Sequence, residues 1–452
     1  MILGENIDSV YSGGKEIQRV YSKGMLVWEK EKGINYKTTP FTVCAVEDGV
    51  RVNLLGKIGW SDGNNQGSVG TEGTINYKYS INGGEWIQNT SDSSVYLNQN
   101  DTMRIISEAG YRCDIKGLSD VYGNIMSLRY GDKFNSKNYW AGNDPSDPGL
   151  FQYSDIRNAE NLILPALDLG EWAYNCMFYK CEKLIAAPKI LPATTYINRY
   201  CYDYMFYGCK NLTTAPKLPA TVLPVCCYRS MFEGCTSLTT APDLPATTLL
   251  SSCCERMFYG CKNLTSAPKL PALDVGGYCY EYMFKGCTSL TTPPELPATT
   301  VVKYCYHGMF EGCKNLTTAP KLPATTLGEY CYHYMFNGCT SLTTAPDLPA
   351  TTLKEGCYSS MFLGCSKITK SPNLKAKTLV KACYSNMFED CSSLNYIKCY
   401  ATAPDTSSSD FKNCVQSMLY NVSTTGTIAC KSALSYYFRL YVKPSGWTIE
   451  EF

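Results

Sequence analysis

Cysteine and histidine are the side chains here best suited to chemistry, and their spacing argues against most of it. The 452-residue chain carries 25 cysteines and two histidines, His307 and His333. Seventeen cysteines stand four residues before or four residues after a recurring Met-Phe pair, as Cys253 and Cys261 do around Met257. On a helix, eight residues would separate such a pair by ~12 Å of rise, beyond the ~7 Å between Cα atoms that a disulfide tolerates. Pairing along one ladder cannot use all nine of its members. Buried, reduced thiols acting as small hydrophobes are the better reading. No Cys-x-x-Cys pair occurs, and the neighbouring cysteines at 226–227 and 253–254 make poor zinc spacing. No metal or cofactor is expected. His307 and His333 precede Met309 and Met335 by two residues, where other repeats hold Asp203, Arg229, Glu255, Glu281 or Ser359. Such variability predicts solvated histidines rather than a ligand pair. Carboxylates for glycoside hydrolysis need not be neighbours in sequence. No Gly-x-Ser-x-Gly elbow, Walker loop or dinucleotide fingerprint is present, however, and the expectation is a non-enzyme.

What must position these residues is one unit repeated along the middle of the chain. The Met-Phe pairs begin at Met177, Met205, Met231, Met257, Met283, Met309, Met335, Met361 and Met387, and every step after the first is 26 residues. A fixed period of this size marks a solenoid. Within a unit, Leu249, Cys253, Met257 and Phe258 fit one face of a helix, with Thr248 as N-cap and Gly260 as stop. Asn263 to Ala267 reads as a short strand that Pro268 ends. One strand and one helix cannot bury their faces alone, so neighbouring units must stack. Twelve residues after successive methionines stand Lys217, Asp243, Lys269, Glu295, Lys321 and Asp347. Equivalent positions lie side by side in a stack, where like charges repel, and alternation instead supplies exposed pairs worth ~0–1 kcal/mol each.

The Phe-x-Gly-Cys-x-x-Leu core (Phe232, Gly234, Cys235, Leu238), followed by a proline-marked strand, resembles the treponemal, or BspA-like, leucine-rich repeat. That resemblance implies a right-handed solenoid used for adhesion on microbial and viral surfaces. The expected fold is an α+β solenoid, a leucine-rich repeat array of about nine repeats over residues 161–400. A small all-β sandwich precedes it at 38–116, built from short alternating runs and an Asn82-Gly83-Gly84 hairpin signal. Residues 117–160 read as an N-terminal cap and 401–452 as a C-terminal cap. Residues 1–30 hold their own echo, Val10-Tyr11-Ser12-Gly13 and Val20-Tyr21-Ser22-Lys23-Gly24. They resemble the N-terminal segments of bacteriophage tail and virion proteins. The order of modules is similar to that of surface proteins of gut Bacteroides and their phages.

Net charge is +1 with 18% charged residues, which points away from nucleic acid. No run approaches the ~20 apolar residues that cross a bilayer, and Glu5 arrives before any signal-peptide core can form. These features predict a virion protein made in the host cytoplasm. It would dock on other virion proteins through residues 1–30, with Tyr11, Tyr21 and Trp28 as anchors, and would meet a host cell-surface glycan or protein through the solenoid. A homo-oligomer fits such a role. The expected contacts are the variable residues just before Met (Tyr204, Arg229, Arg256, Tyr282, His307, His333, Tyr334) and the charge ladder. A bacterial adhesin and a ligand-free structural virion protein are the alternatives.

Overall fold

A computed structural model describes residues 37–55, 77–89, 94–107, 112–137, 139–140, 149–192, 196–404 and 411–452, with backbone alone for short strands between residues 10 and 29 and at 196 and 403–404. The chain forms two compact units, residues 1–197 with 205–219, and residues 198–204 with 220–452.

In the first unit, Val10–Ser12 pairs antiparallel with Lys15–Ile17, and Arg19–Ser22 with Met25–Glu29. The side chains of Tyr11, Tyr21 and Trp28 lie outside the described residues. A six-stranded sheet follows the order Ile156–Ile163, Ser119–Asn124, Phe41–Ala45, Thr102–Ser107, Tyr77–Ile81, Ile87–Asn89. A three-stranded antiparallel sheet joins Arg112–Lys116, Val50–Leu55 and Val95–Leu97. Alternation decides the buried set: Phe41 and Val43, Val50 and Val52, Met103 and Ile105, Cys113 and Ile115 are all at most 1% exposed. Ser127 ties the core's polar backbone together, accepting from the Phe41 N–H and donating to the Ile105 carbonyl. Ser119–Asn124 pairs antiparallel with Phe41–Ala45 and parallel with Ile156–Ile163, so one sheet crosses residue 117, where the sequence suggested a boundary. Phe151, Phe178 and Phe206 then begin a column of rings 5.4 Å apart.

The second unit is a stack of coils, and it corrects the expected repeat. Residues 251–260 form consecutive turns, not a helix, and the short strand is Thr248–Leu249, which pairs parallel with Val222–Leu223 and Asp274–Val275. The stretch Asn263 to Ala267 contributes only a bridge at Ser266. The cause is a left-handed residue at every fourth position: Ser252, Arg256 and Gly260 in this coil, Tyr278, Tyr282 and Gly286 in the next. A left-handed non-glycine costs about 1–2 kcal/mol, and the hydrogen bonds show what offsets it. The N–H groups of Cys253, Glu255, Met257, Tyr259 and Cys261 close local turns three residues back. Those of Ser252, Cys254, Arg256, Phe258 and Gly260 instead point outward and donate to Gly277, Cys279, Glu281, Met283 and Lys285 of the next coil at 2.8–3.1 Å. No amide of the run is left unpaired, which a buried backbone requires. The four-residue period also explains the apolar spacing. Leu249, Cys253, Met257 and Cys261 are all at most 4% exposed, whereas a 3.6-residue period would have rotated the last of them well off the face.

Side chains repeat the stacking. Phe232, Phe258, Phe284, Phe310, Phe336, Phe362 and Phe388 form one column of parallel rings 5.5–5.7 Å apart. From Cys261 to Cys391 each thiol four residues after Met donates to the carbonyl of the Phe in the preceding coil, as Cys287 to Phe258 and Cys313 to Phe284, both at 3.1 Å. Burial pushes these thiols well above their usual range. All 25 cysteines are free. The far end is closed by a parallel sheet of Lys370–Leu374, Tyr396–Cys399, Gly426–Cys430 and Trp447–Glu451, with the helix Ser432–Tyr441.

Two glycines separate backbone strain from crowding. At Gly356 (φ 57°) an added Cβ would lie 2.3 Å from the Tyr330 ring, whereas at Gly260 (φ 70°) it would meet nothing within 4 Å. Gly260→Ala should cost about 1 kcal/mol, and Gly356→Ala about 2–3 kcal/mol because the ring must move as well. Urea melts of the two variants would check this, and equal costs would show that the ring yields freely.

Candidate recognition face

The turns carry outward a set of half-buried polar and aromatic side chains, and their 26-residue echo lets each touch its counterpart one coil on. Tyr278, Tyr304 and Tyr330, five residues before their methionines, stack at 5.1 and 5.2 Å. Tyr330 donates its hydroxyl to Glu355 at 2.7 Å, and Lys381 pairs with the same carboxylate at 2.7 Å. Lys303 pairs with Glu329 at 2.9 Å and Lys285 with Glu311 at 3.0 Å, and the Lys285 ammonium lies 4.5 Å from the centre of the Tyr282 ring. Arg256 grips Glu233 with two hydrogen bonds of 2.9 and 3.0 Å and covers Tyr259 at 4.4 Å. Arg229 holds the fully buried Asp203 in the same fork, at 2.6 and 3.1 Å, beneath Tyr204.

The histidines sit at the centre of this face and are not the solvated pair that the sequence suggested. His307 is only 9% exposed and His333 is half-buried. Long side chains at neighbouring positions explain it: Tyr282, Tyr304 and Tyr334 close over His307, and Tyr330 and Tyr334 over His333. His307 Nδ1 lies 2.9 Å from Glu281 and its Nε2 3.1 Å from the Tyr282 hydroxyl. A neutral ring with the proton on Nδ1 satisfies both contacts. Burial raises the Tyr282 hydroxyl to about 12, with Glu311 and Glu281 adding to the effect, so this relay does not make a phenolate at neutral pH. The two imidazoles stack at 4.9 Å.

His333 gives the face an acid sensitivity. Burial, and secondarily His307, lowers it to about 4. A histidine depressed in the folded state takes its proton more readily when unfolded. Its contribution to stability is therefore complete above pH 6.5 and is lost as pH falls toward 4. With solvent screening of a half-buried ring, about 1–2 kcal/mol should disappear over that window. His333→Gln should flatten the curve in urea melts taken between pH 7 and 4; an unchanged slope would exclude this ring as its source.

The charge ladder lies elsewhere on the coil, on its proline-marked stretch. Lys217, Asp243, Lys269, Glu295, Lys321 and Asp347 are all exposed. Among the described residues of the second unit the ladder does not close into the expected pairs; Asp347 instead meets Lys375, which stands outside the ladder, at 2.8 Å. The inter-coil pairing is on the turn face instead. A sequence signal for it existed: opposite partners stand 26 residues apart at Asp203/Arg229, Glu281/His307, Lys285/Glu311, Lys303/Glu329 and Glu355/Lys381. Of the expected contact residues in the second unit, Tyr204, Arg229, Arg256, Tyr282, His307, His333 and Tyr334 do share this face.

Among the described residues no helix is long and apolar enough to cross a membrane. The BspA type leucine rich repeat region, in 6 copies, matches residues 199–335 and 329–437, more than half of the chain. No curated protein matches it.

Proposed function

Because the chain belongs to the BspA-type leucine-rich repeat family, we propose that it is a non-enzymatic recognition protein whose turn face binds a cell-surface glycan or protein. The observation that carries this reading is the composition of that face. Tyrosine, arginine and histidine recur coil after coil, held by paired carboxylates rather than free to rearrange. Rigid amphipathic rings bind at low entropic cost, and a repeated face offers many weak contacts that display in number multiplies. The reading takes the array as nine units from Met177 to Met387, supported by left-handed residues five and one before and three after each of these methionines. It takes the two sheets of the first unit as a sandwich that spaces the array from residues 1–30.

In this proposal the chain rides on a phage particle, with residues 1–30 docking on other virion proteins. The Val-Tyr-Ser-Gly echo and the two short antiparallel pairs support that role. The family itself favours a second reading, an adhesin on a bacterial cell. Mass spectrometry and immunogold labelling of purified particles separate the two. Label at the tail or head surface supports the virion protein; particles without it, and labelled cells, overturn that location in favour of the adhesin. For the face, Tyr334→Ala and Tyr278→Ala in the full chain should each weaken binding to intact host cells about tenfold. Unchanged binding in both would move the contact surface off the turns.

A further inference from the structure

Three residues before Met, seven coils of the second unit carry a buried tyrosine (Tyr202, Tyr228, Tyr280, Tyr306, Tyr332, Tyr358, Tyr384), and their rings form a second column. The coil of Met257 breaks it. Cys254 stands at that place, 1% exposed, between Tyr228 and Tyr280. A thiol is far smaller than a phenol, and sulfurs of two coils lie close together beside it. Cys253 Sγ lies 3.3 Å from Cys279 Sγ and 3.9 Å from Cys254 Sγ. The first distance is a sulfur–sulfur contact between consecutive coils. The backbone fixes the same register independently: the Cys254 N–H donates to the Cys279 carbonyl at 3.1 Å. Adjacent rungs ~4.8 Å apart fall within the 4.4–6.8 Å Cα separation at which a disulfide closes without strain. The expectation that these thiols act only as small hydrophobes therefore meets one place built differently.

We propose that Cys253 and Cys279 are an oxidation site, closed to a disulfide by a peroxide when the protein leaves a reducing compartment. The chemistry balances with hydrogen peroxide as oxidant. The Cys279 sulfur attacks a peroxide oxygen, its thiol proton leaving with the departing oxygen as water, and becomes a sulfenic acid; the Cys253 sulfur then displaces hydroxide, which takes the Cys253 thiol proton and leaves as a second water. Two thiols and one peroxide thus give one disulfide and two waters. Water-sized peroxide suits a pair with no exposed surface. The bond closes a 26-residue loop and staples the coil that carries Arg256 to the coil that carries Glu281 and Tyr282. Oxidation therefore stiffens two coils of the turn face. No metal is needed: among the described residues no group of three ligands is arranged to hold one.

The test is to treat the reduced full chain with hydrogen peroxide, alkylate it in denaturant and map the peptides by mass spectrometry. The expected product is two hydrogens lighter, with Cys253 joined to Cys279 and the thiols after Met, such as Cys287 and Cys313, still alkylated. Its Tm should rise by a few degrees and return on reduction with dithiothreitol. Cys254→Tyr restores the column residue and should abolish the link; Cys279→Ser, which leaves the column untouched, should abolish both link and Tm rise. Full alkylation of all cysteines after peroxide, or a link between other pairs, overturns the proposal. Survival of the link in a folded Cys254→Tyr chain overturns the role of the gap.

Discussion

Arg229→Ala should cost the fold about 3–5 kcal/mol, the largest loss expected from any single charge on the turn face. Asp203 is fully buried, and burial already pushes its carboxyl up to about 6 against the opposing pull of Arg229. Removing the guanidinium strands that carboxyl without the fork that holds it at 2.6 and 3.1 Å. The pair is not thereby a net stabiliser. A carboxyl raised in the folded state contributes stability that is complete below pH 3.8 and lost as pH rises through about 6. That slope runs opposite to the one from His333 over nearly the same window. Asp203→Asn should remove it, and Asp203→Leu with Arg229→Met should recover most of the loss seen with Arg229→Ala. Chemical denaturation of the four proteins at pH 7 and pH 5 completes the comparison. A cost below 1 kcal/mol for Arg229→Ala would mean that water reaches Asp203.

Phe310→Ala should be of similar size, about 3–5 kcal/mol, by a different route. The ring is fully buried and stacks at 5.7 Å on Phe284 and on Phe336. Deleting it opens a void that neither neighbour can fill, because each is held by its own coil's backbone bonds. In a nearly one-dimensional array each coil is stabilised by its neighbours, so a gap also uncouples the coils on either side. Hydrogen exchange should show this as two cooperative groups of amides where the parent has one. A single unchanged group, with a loss under 2 kcal/mol, would mean that the stack collapses around the void. Phe310→Leu keeps most of the volume and should cost roughly half as much.

Residues that recur were legible in the sequence and residues that vary were not. Leu249, Cys253, Met257, Phe258 and Cys261 announced a buried stripe because every coil asks the same of them. Their spacing could not say whether the stripe was helical, since apolar residues four apart serve both a helix and a train of four-residue turns. Gly260 and its echoes at Gly286 and Gly312 were the available hint, a left-handed residue at a fixed place. Tyr278 and Arg256 hid the other left-handed positions, because neither type favours that backbone. His307 and Asp203 are buried although the variability of their position suggests exposure. The position varies, yet Asp203 and His307 are each matched to a partner 26 places away, and it is the pair that is constrained. The charge ladder is exposed as its composition implies, yet Asp243, Lys269, Glu295 and Lys321 alternate without closing into pairs among the described residues of the second unit.

The alternating amides have a consequence at the level of the gene. Coil after coil offers its neighbour the same row of backbone donors and acceptors, so the backbone joint between two coils does not depend on which coils they are. Deleting or duplicating a whole 26-residue segment, as recombination between near-identical repeats does, re-forms an equivalent joint and preserves the buried columns. Half a segment would not. Length can therefore change in one step while the turn face is rewritten residue by residue, with charge pairs one period apart as the constraint on what may change alone. Such a chain can rewrite its surface without refolding.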